Sequence, residues 1–182
     1  MRFIIICILI LLSGCSWQSS QYNLLQSLIK NQTTGPLPNW TMTWIDIDYK
    51  FYAINDNSYI FFVNSEDQFI EFDGWQITKV KGFLLGGKLF EINYKDNNMQ
   101  FLEDGIVASE SKCSIWEKSS KINNNFIYYN QICTFLDDGD SFINTIIINH
   151  LNEIIGLNYQ INKSYPPIKV RMNDYDNQRL IF

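Results

Sequence analysis

Two aspartates near the start of a β-like stretch have the spacing best suited to acid–base chemistry. Asp46 and Asp48 alternate along a predicted strand over 40–48, so both side chains should lie on one face. A pair of carboxylates is the arrangement that glycoside hydrolases use. The same face carries Trp40 and Trp44, whose rings could stack on a sugar. Aromatic residues of a β-rich chain usually fill its core, so we favour that role and keep Trp40 and Trp44 as candidate glycan-stacking residues.

The other polar groups offer weaker catalytic or metal-binding patterns. His150 is the single histidine, which is too few for a zinc site or a catalytic triad. Asp137, Asp138 and Asp140 lack the glutamate that a calcium-binding EF-hand loop places eleven positions after its first ligand, and turn chemistry explains them better. We therefore predict no catalytic residue, no metal site and no cofactor, and we expect the protein not to be an enzyme.

A cysteine near the N-terminus has a clear covalent chemistry. Arg2 precedes an apolar run over 3–12, which is shorter than the roughly 20 residues that a membrane-spanning helix needs. The run fits the apolar middle of a secretory signal. It ends in Leu12-Ser13-Gly14-Cys15, which resembles the lipobox of bacterial lipoproteins, where the thiol accepts a diacylglycerol before cleavage. The sequence therefore predicts lipidation at Cys15.

This motif predicts the organisation of the chain and its address. Residues 1–14 form the signal peptide, 15–21 form an acylated tether, and 22–182 form a single periplasmic domain. Ser16 follows the cysteine, and it is not the aspartate that retains many enterobacterial lipoproteins at the inner membrane. We expect an outer-membrane protein that is anchored by its lipid and faces the periplasm.

The charge balance limits the classes of partner. Acidic residues outnumber basic ones 19 to 14, and the formal net charge is −5. Without a basic cluster, neither nucleic acid nor the anionic surface of a membrane is an expected partner. Attachment to the membrane must then come from the N-terminal lipid.

The remaining cysteines suit an oxidising compartment. Cys113 and Cys133 lie in two β-rich runs that are symmetric about Asn123. Directly opposed residues of an antiparallel pair lie about 4.5 to 5.5 Å apart at Cα, within the range of a disulfide. We predict a Cys113–Cys133 disulfide, and the alternative is two free buried thiols.

The elements that must position these residues are almost all strands. Leu24, Leu25, Leu28 and Ile29 form one stripe, which predicts a short helix over 22–30. From Trp40 onward the residues favour strands separated by short turns. The predicted strands are 40–48, 50–54, 58–63, 67–71, 75–81, 88–93, 112–118, 126–135, 142–150, 154–161 and 167–172, with a weaker one over 106–109. We predict an all-β domain, an antiparallel meander that closes into a barrel or a sandwich. A transmembrane barrel is disfavoured because several strands are shorter than the roughly 9 to 11 residues it needs.

Several segments together resemble a known family. The lipobox and the short helix after it correspond, and five further stretches carry the pattern: Gly74–Phe83, Cys113–Glu117, Asn144–Ile148, Gly156–Gln160 and Tyr165–Met172. They are similar to the YjbF/GfcB family of group 4 capsule polysaccharide lipoproteins. The resemblance implies an all-β outer-membrane lipoprotein that accompanies capsule or exopolysaccharide export and has no established enzymatic activity.

The sequence therefore predicts a non-enzymatic accessory in capsule or exopolysaccharide assembly or export. Its expected partners are the membrane, through the lipid, and a polysaccharide or proteins of the export machinery. The alternative is a carrier of lipid or lipoprotein with an apolar cavity in a half-open barrel. A third interpretation is a glycan-cleaving enzyme that uses Asp46 and Asp48.

Overall fold

The computed structural model describes residues 39–56, 58–83, 87–95, 97–119 and 126–173. The predicted signal peptide, Cys15, the tether and the helix over 22–30 lie outside these residues. Within the described ranges, no helix has the length and apolar character needed to span a bilayer.

The described residues form one antiparallel sheet of thirteen strands. Most neighbours in the sheet are neighbours in sequence, because short hairpin turns connect them. The strands are β1 Trp40–Trp44, β2 Ile47–Asp56, β3 Tyr59–Val63, β4 Phe69–Phe72, β5 Ile77–Lys81, β6 Leu89–Lys95, β7 Asn98–Glu103, β8 Ile106–Cys113, β9 Glu117–Lys118, β10 Phe126–Phe135, β11 Ser141–Asn149, β12 Ile154–Tyr159 and β13 Ile168–Met172.

Two pairings close this sheet into a barrel. The first strand pairs with the last, with Trp40 opposite Met172. Strand β10 pairs with β11 on one side and with β8 on the other, where Cys133 lies opposite Cys113. Every strand except the short β9 belongs to the ring. The predicted all-β antiparallel fold is confirmed, and of the two forms it allowed, the barrel is the one found.

Side chains fill the inside of the barrel. Alternate residues of each strand point inward, as pleating requires. On β1 these are Trp40, Met42 and Trp44, and Phe51 of β2 lies opposite Trp40. The largest fully buried side chains are Trp44, Tyr159, Phe51, Phe62, Phe72, Phe90, Phe101, Met42, Ile70, Ile77, Met99 and Ile146. The fold therefore has a packed core along its axis.

An aromatic cluster around Trp44 seals one end of the barrel. The indole ring meets Phe83, Phe90 and Tyr165 edge-on, with ring centroids 6.0, 5.8 and 5.6 Å away. Its Nε1 donates a hydrogen bond to the carbonyl oxygen of Pro166 at 2.9 Å, so the buried polar atom of the ring has a partner.

The predicted strand over 40–48 is wrong at its second half. Ile45 and Asp46 have φ of 50° and 59°, and they form a two-residue hairpin turn between β1 and β2. Positive φ at both central residues matches the twist of the flanking strands. Asp46 is therefore in a turn, and it does not share a strand face with Trp40 and Trp44.

Two further differences concern the strands between residues 95 and 118. Strand β7 was not predicted, because Asn98 and Gln100 interrupt its apolar pattern. The predicted strand over 112–118 is divided: its first residues extend β8 to Cys113, and only Glu117–Lys118 continues as β9. Residues 114–116, between β8 and β9, form part of the candidate site.

The sealed end provides a test of the packing. Replacing Trp44→Ala should lower the free energy of unfolding by about 3 to 5 kcal/mol, because a large buried ring and its hydrogen bond are lost. The control is Ile115→Ala, since Ile115 is 68% exposed and its truncation should change stability by less than about 0.5 kcal/mol. Urea unfolding of both variants measures this difference, and equal stabilities would contradict the placement of Trp44 in the core.

Candidate functional site

The predicted glycan-stacking residues lie inside the barrel. Trp40 and Trp44 are 4% and 2% exposed. The Trp40 ring packs edge-on against Phe62 at 4.9 Å, and Trp44 belongs to the sealed end. Neither indole offers a ring face to solvent, so the prediction that they stack on a glycan is wrong for this arrangement. Trp40 and Trp44 alternate with polar residues because their face of β1 points into the core.

The predicted carboxylate pair is not brought together as a catalytic pair. Asp46 is exposed in the β1–β2 turn. Asp48 accepts a hydrogen bond from Thr43 Oγ1 at 2.5 Å on the outside of the barrel, and its other oxygen lies 3.8 Å from Arg171 Nη2. Asp48 therefore takes part in cross-strand contacts of the outer surface.

Two other polar groups occupy turns. His150 is exposed at the turn that follows β11. Asp137 and Asp138 both form ion pairs with Lys163, the first at 2.6 Å. Among the residues that the structure describes, no group of three or more His, Cys, Asp and Glu side chains is placed to hold a metal ion.

Cys113 and Cys133 are joined by a disulfide, as predicted, with their Cα atoms 4.0 Å apart. They are directly opposed residues of β8 and β10. The cross-link closes a loop with a sequence separation of 20, which contributes on the order of 3 kcal/mol. It lies at the pairing that completes the ring of strands.

An open cleft lies at the unsealed end of the barrel. Asp73, Trp75, Gln76 and Trp116 line it, and its volume is about 510 Å³. We call it the Trp75 cleft. Trp75 is 48% exposed, unlike the buried tryptophans of β1. None of these four residues was predicted as a site residue.

The β4–β5 turn holds one wall of the Trp75 cleft. Asp73 Oδ1 accepts hydrogen bonds from the backbone N–H groups of Trp75 and Gln76, at 2.9 and 2.7 Å. The Asp73 N–H in turn donates to the carbonyl oxygen of Gln76 at 2.9 Å. Gly74 adopts φ of 98°, which glycine accepts without strain. An aspartate two residues before a bonded N–H is a common turn former, and here it fixes the base of the Trp75 side chain.

A β-bulge supplies the opposite wall. Cys113 pairs with Cys133 and Glu117 pairs with Asn130, so residues 114–116 stand opposite only 131–132. One extra residue reverses the inward and outward alternation. As a result Ile115 is 68% exposed, whereas Trp116 packs against the main core.

The hydroxyl of Ser114 completes the hydrogen bonding across this bulge. The Ser114 N–H donates to the carbonyl oxygen of Ile132 at 2.8 Å, and the Ile132 N–H donates to Ser114 Oγ at 3.1 Å. Gln131 Nε2 donates to the carbonyl oxygen of Ser114 at 3.2 Å. The bulge is therefore an ordered part of the wall.

Aromatic and polar side chains connect the cleft to the barrel interior. The Trp75 ring lies 6.0 Å from Trp116 and 5.7 Å from Tyr129, which is perpendicular to it, and Trp116 lies 6.5 Å from Tyr159. The Tyr94 hydroxyl donates to Gln131 Oε1 at 2.9 Å and accepts from the Tyr159 hydroxyl, also at 2.9 Å. Buried hydroxyl groups beneath the cleft thus satisfy one another.

Burial dominates the electrostatics of these two tyrosines. It raises the pKa of Tyr94 to about 12, partly opposed by the hydrogen bond that Tyr159 donates. It also raises the pKa of Tyr159 well above the ordinary 10.0, and the neighbouring Tyr94 adds to the effect. The carboxylate of Asp73 acts in the same direction on both hydroxyls. Both tyrosines are therefore neutral hydrogen-bonding groups at physiological pH.

The chemistry of the Trp75 cleft is that of binding. Its walls offer two indole rings, one carboxylate and one amide. Carboxylate and amide groups bond to hydroxyl groups, and the face of an indole attracts polarised C–H groups. A second cleft, of about 330 Å³, is lined by the polar residues Lys95, Asn98, Gln100 and Glu110. Gln100 Nε2 donates to Glu110 Oε1 there, at 2.7 Å, and no aromatic ring of the described residues lines this cleft.

The raised pKa values predict a loss of stability at alkaline pH. A tyrosine with a higher pKa in the folded state stabilises the fold fully below its unfolded pKa of about 10, and this contribution is lost as the pH rises towards about 12. The Tyr94→Phe variant lacks the hydroxyl group that ionises. Its free energy of unfolding should therefore fall less steeply over this pH interval than that of the wild type. Urea unfolding at several alkaline pH values measures the slopes, and parallel curves would contradict the burial of the Tyr94 hydroxyl.

Comparisons with known proteins show the fold. No protein-family model matches the chain. No curated protein matches it either. Among solved structures, the chain is similar to the hypothetical lipoprotein YmcC from Escherichia coli K12, with a TM-score of 0.53 and 12% sequence identity. The alignment covers 86% of this chain and 96% of that protein. At this identity the similarity establishes a shared fold across nearly the whole length of the E. coli lipoprotein.

Proposed function

We propose that this protein is a lipid-anchored, non-enzymatic accessory of capsule or exopolysaccharide assembly or export, held at the outer membrane and facing the periplasm. The lipobox at Cys15 supports the anchor. The resemblance to the YjbF/GfcB family supports the polysaccharide role. The fold shared with a protein described as a lipoprotein is consistent with both.

The observation that carries the proposal is the filled interior of the closed barrel. Large side chains such as Trp44, Phe62 and Phe101 occupy the axis and are fully buried. A protein of this kind acts through its outer surface and its open end. The lipid then provides placement, because several acyl chains on one cysteine give a stable attachment to the bilayer.

The same packing makes the carrier alternative less suitable. A half-open barrel that shelters acyl chains needs a contiguous apolar cavity of several hundred cubic ångströms. In the described part of the chain, the larger of the two best-defined clefts is the open Trp75 cleft, with a carboxylate and an amide in its walls. A surface of this composition suits a polar partner better than an acyl chain.

The surroundings of Asp46 and Asp48 support a non-enzymatic role. Paired glycosidase carboxylates face each other across a groove about 5 to 9 Å wide. Here one carboxylate lies in an exposed turn, and the other is bonded to Thr43 on the outer face of the barrel.

The proposal predicts that Cys15→Ser abolishes acylation and reduces surface polysaccharide in the native host. A strain that lacks the gene is complemented with the wild type or with Cys15→Ser. Mass spectrometry of the amino-terminal peptide then measures the lipid, and a polysaccharide assay measures the product on intact cells. The variant should carry no lipid and should complement poorly, because the domain is no longer held at the outer membrane.

Cys7→Ser is the matched control. Cys7 lies within the predicted signal peptide, so its replacement should leave both the lipid and the polysaccharide unchanged. An unmodified amino end in the wild type would contradict the anchor. A deletion strain with normal amounts of surface polysaccharide would contradict the role in assembly or export.

A further inference from the structure

The geometry of the Trp75 cleft points to a binding site for an uncharged pyranose unit of a glycan, with the sugar ring stacked on Trp75. This inference rests on the proposed function and names the ligand class and the residues that would contact it. Trp75 is 48% exposed at the open end of the barrel, and the cleft has about 510 Å³ of space, which is within the range of small-molecule sites.

Two features make Trp75 a stacking platform. Its backbone is fixed by the hydrogen bond to Asp73 Oδ1 at 2.9 Å. Its ring packs perpendicular to the ring of Tyr129, with the centroids 5.7 Å apart and an interplanar angle of 88°. An aromatic face that is held in place loses little conformational freedom when a ligand binds, and its negative quadrupole attracts the axial C–H groups of a pyranose.

The polar groups of the cleft match the hydroxyl groups of a sugar. Gln76 and Asp73 stand next to the Trp75 platform and line the same cleft. Trp116 adds a donor, because its Nε1 is buried and has no hydrogen-bond partner among the described residues. An unpartnered buried N–H is unfavourable, so a ligand oxygen that bonds to it gains a contact that the empty cleft lacks.

The charge of the cleft selects against acidic sugars. Asp73 is the charged residue among the four that line it, and its carboxylate repels the carboxylate of a uronic acid at short range. Asp73→Asn removes this charge but keeps the hydrogen bonds of the turn, because the Asn side-chain oxygen can accept from the same two backbone N–H groups. This substitution therefore removes the charge and preserves the turn.

Titration by NMR tests the inference on the indole N–H signals of the mature domain. The neutral probes are hexaoses of glucose, galactose and N-acetylglucosamine, and the acidic probe is hexagalacturonate. We expect at least one neutral hexaose to shift the Trp75 and Trp116 signals in a saturable way, while the buried Trp40 and Trp44 signals stay unchanged. Hexagalacturonate should bind about tenfold more weakly than that hexaose.

Variants assign the binding to the cleft. Trp75→Ala should weaken binding of the neutral hexaose at least about tenfold, because the platform is removed. Ile115→Ala changes an exposed neighbour of Trp116 that points away from the core, and it should bind as the wild type does. Asp73→Asn should reduce the difference in affinity between the neutral hexaose and hexagalacturonate.

The outcomes separate this inference from the proposed function. If none of the neutral hexaoses shifts Trp75, or if Trp75→Ala binds as tightly as the wild type, the glycan site is overturned. If Asp73→Asn leaves this difference in affinity unchanged, the inference that the Asp73 charge selects against acidic sugars is overturned. In each case a Cys15-dependent polysaccharide defect would leave the proposed function standing. If the cleft binds no glycan, its partner would then be a protein of the export machinery.

Discussion

The pairing of β8 with β10 is the constraint on which the rest of the structure depends. An open antiparallel sheet leaves unpaired strands at its two edges, and closure removes them. Here closure requires β10 to pair with β8 as well as with β11, yet the β8–β10 ladder spans only Cys133–Phe135 opposite Ser111–Cys113. The Cys113–Cys133 disulfide joins one pair of this short ladder covalently. A covalent bond thus secures one of the two shortest ladders of the ring.

The bulge beside that disulfide gives the two ends of the barrel different properties. At one end, Trp44 and its aromatic neighbours pack together and close the core. At the other end, the extra residue in 114–116 turns Trp116 inward, to the wall of the Trp75 cleft. Bulges near a barrel rim often redirect a side chain towards a binding site, and this one places an indole where a regular strand would place Ile115. One inserted residue therefore decides which side chain of this segment lines the open end.

Much of the fold could be predicted from local patterns. The bounds of β10 agree with the predicted 126–135, because its β-prone residues are bounded by polar turn residues on both sides. The disulfide followed from the symmetric position of its two cysteines. Strand β7 was missed because its polar residues face outward between Met99 and Phe101, and the β1–β2 turn was missed because Ile45 is an unusual residue at positive φ.

The site was harder to predict than the fold. Alternation shows which residues share a face, but closure of the sheet decides which face is inside. Trp40 and Trp44 alternate with polar residues as an exposed platform would, and they are buried because their face lines the barrel. Trp116 reaches the cleft through a bulge, a feature for which the sequence carries only the weak signal of Ser114. The turn residues Asp73 and Gly74 were the clearest sign that Trp75 lies at an exposed tip.

Amide hydrogen exchange with and without the disulfide tests the central claim most directly. In the Cys113→Ala/Cys133→Ala variant, the amides of Ser114, Ile132 and Leu136, which bond across the β8–β10 junction, should lose protection before those of the β2–β3 hairpin. This result would show that the covalent link holds the ring closed. Junction amides that stay as protected as those of the hairpin would contradict it.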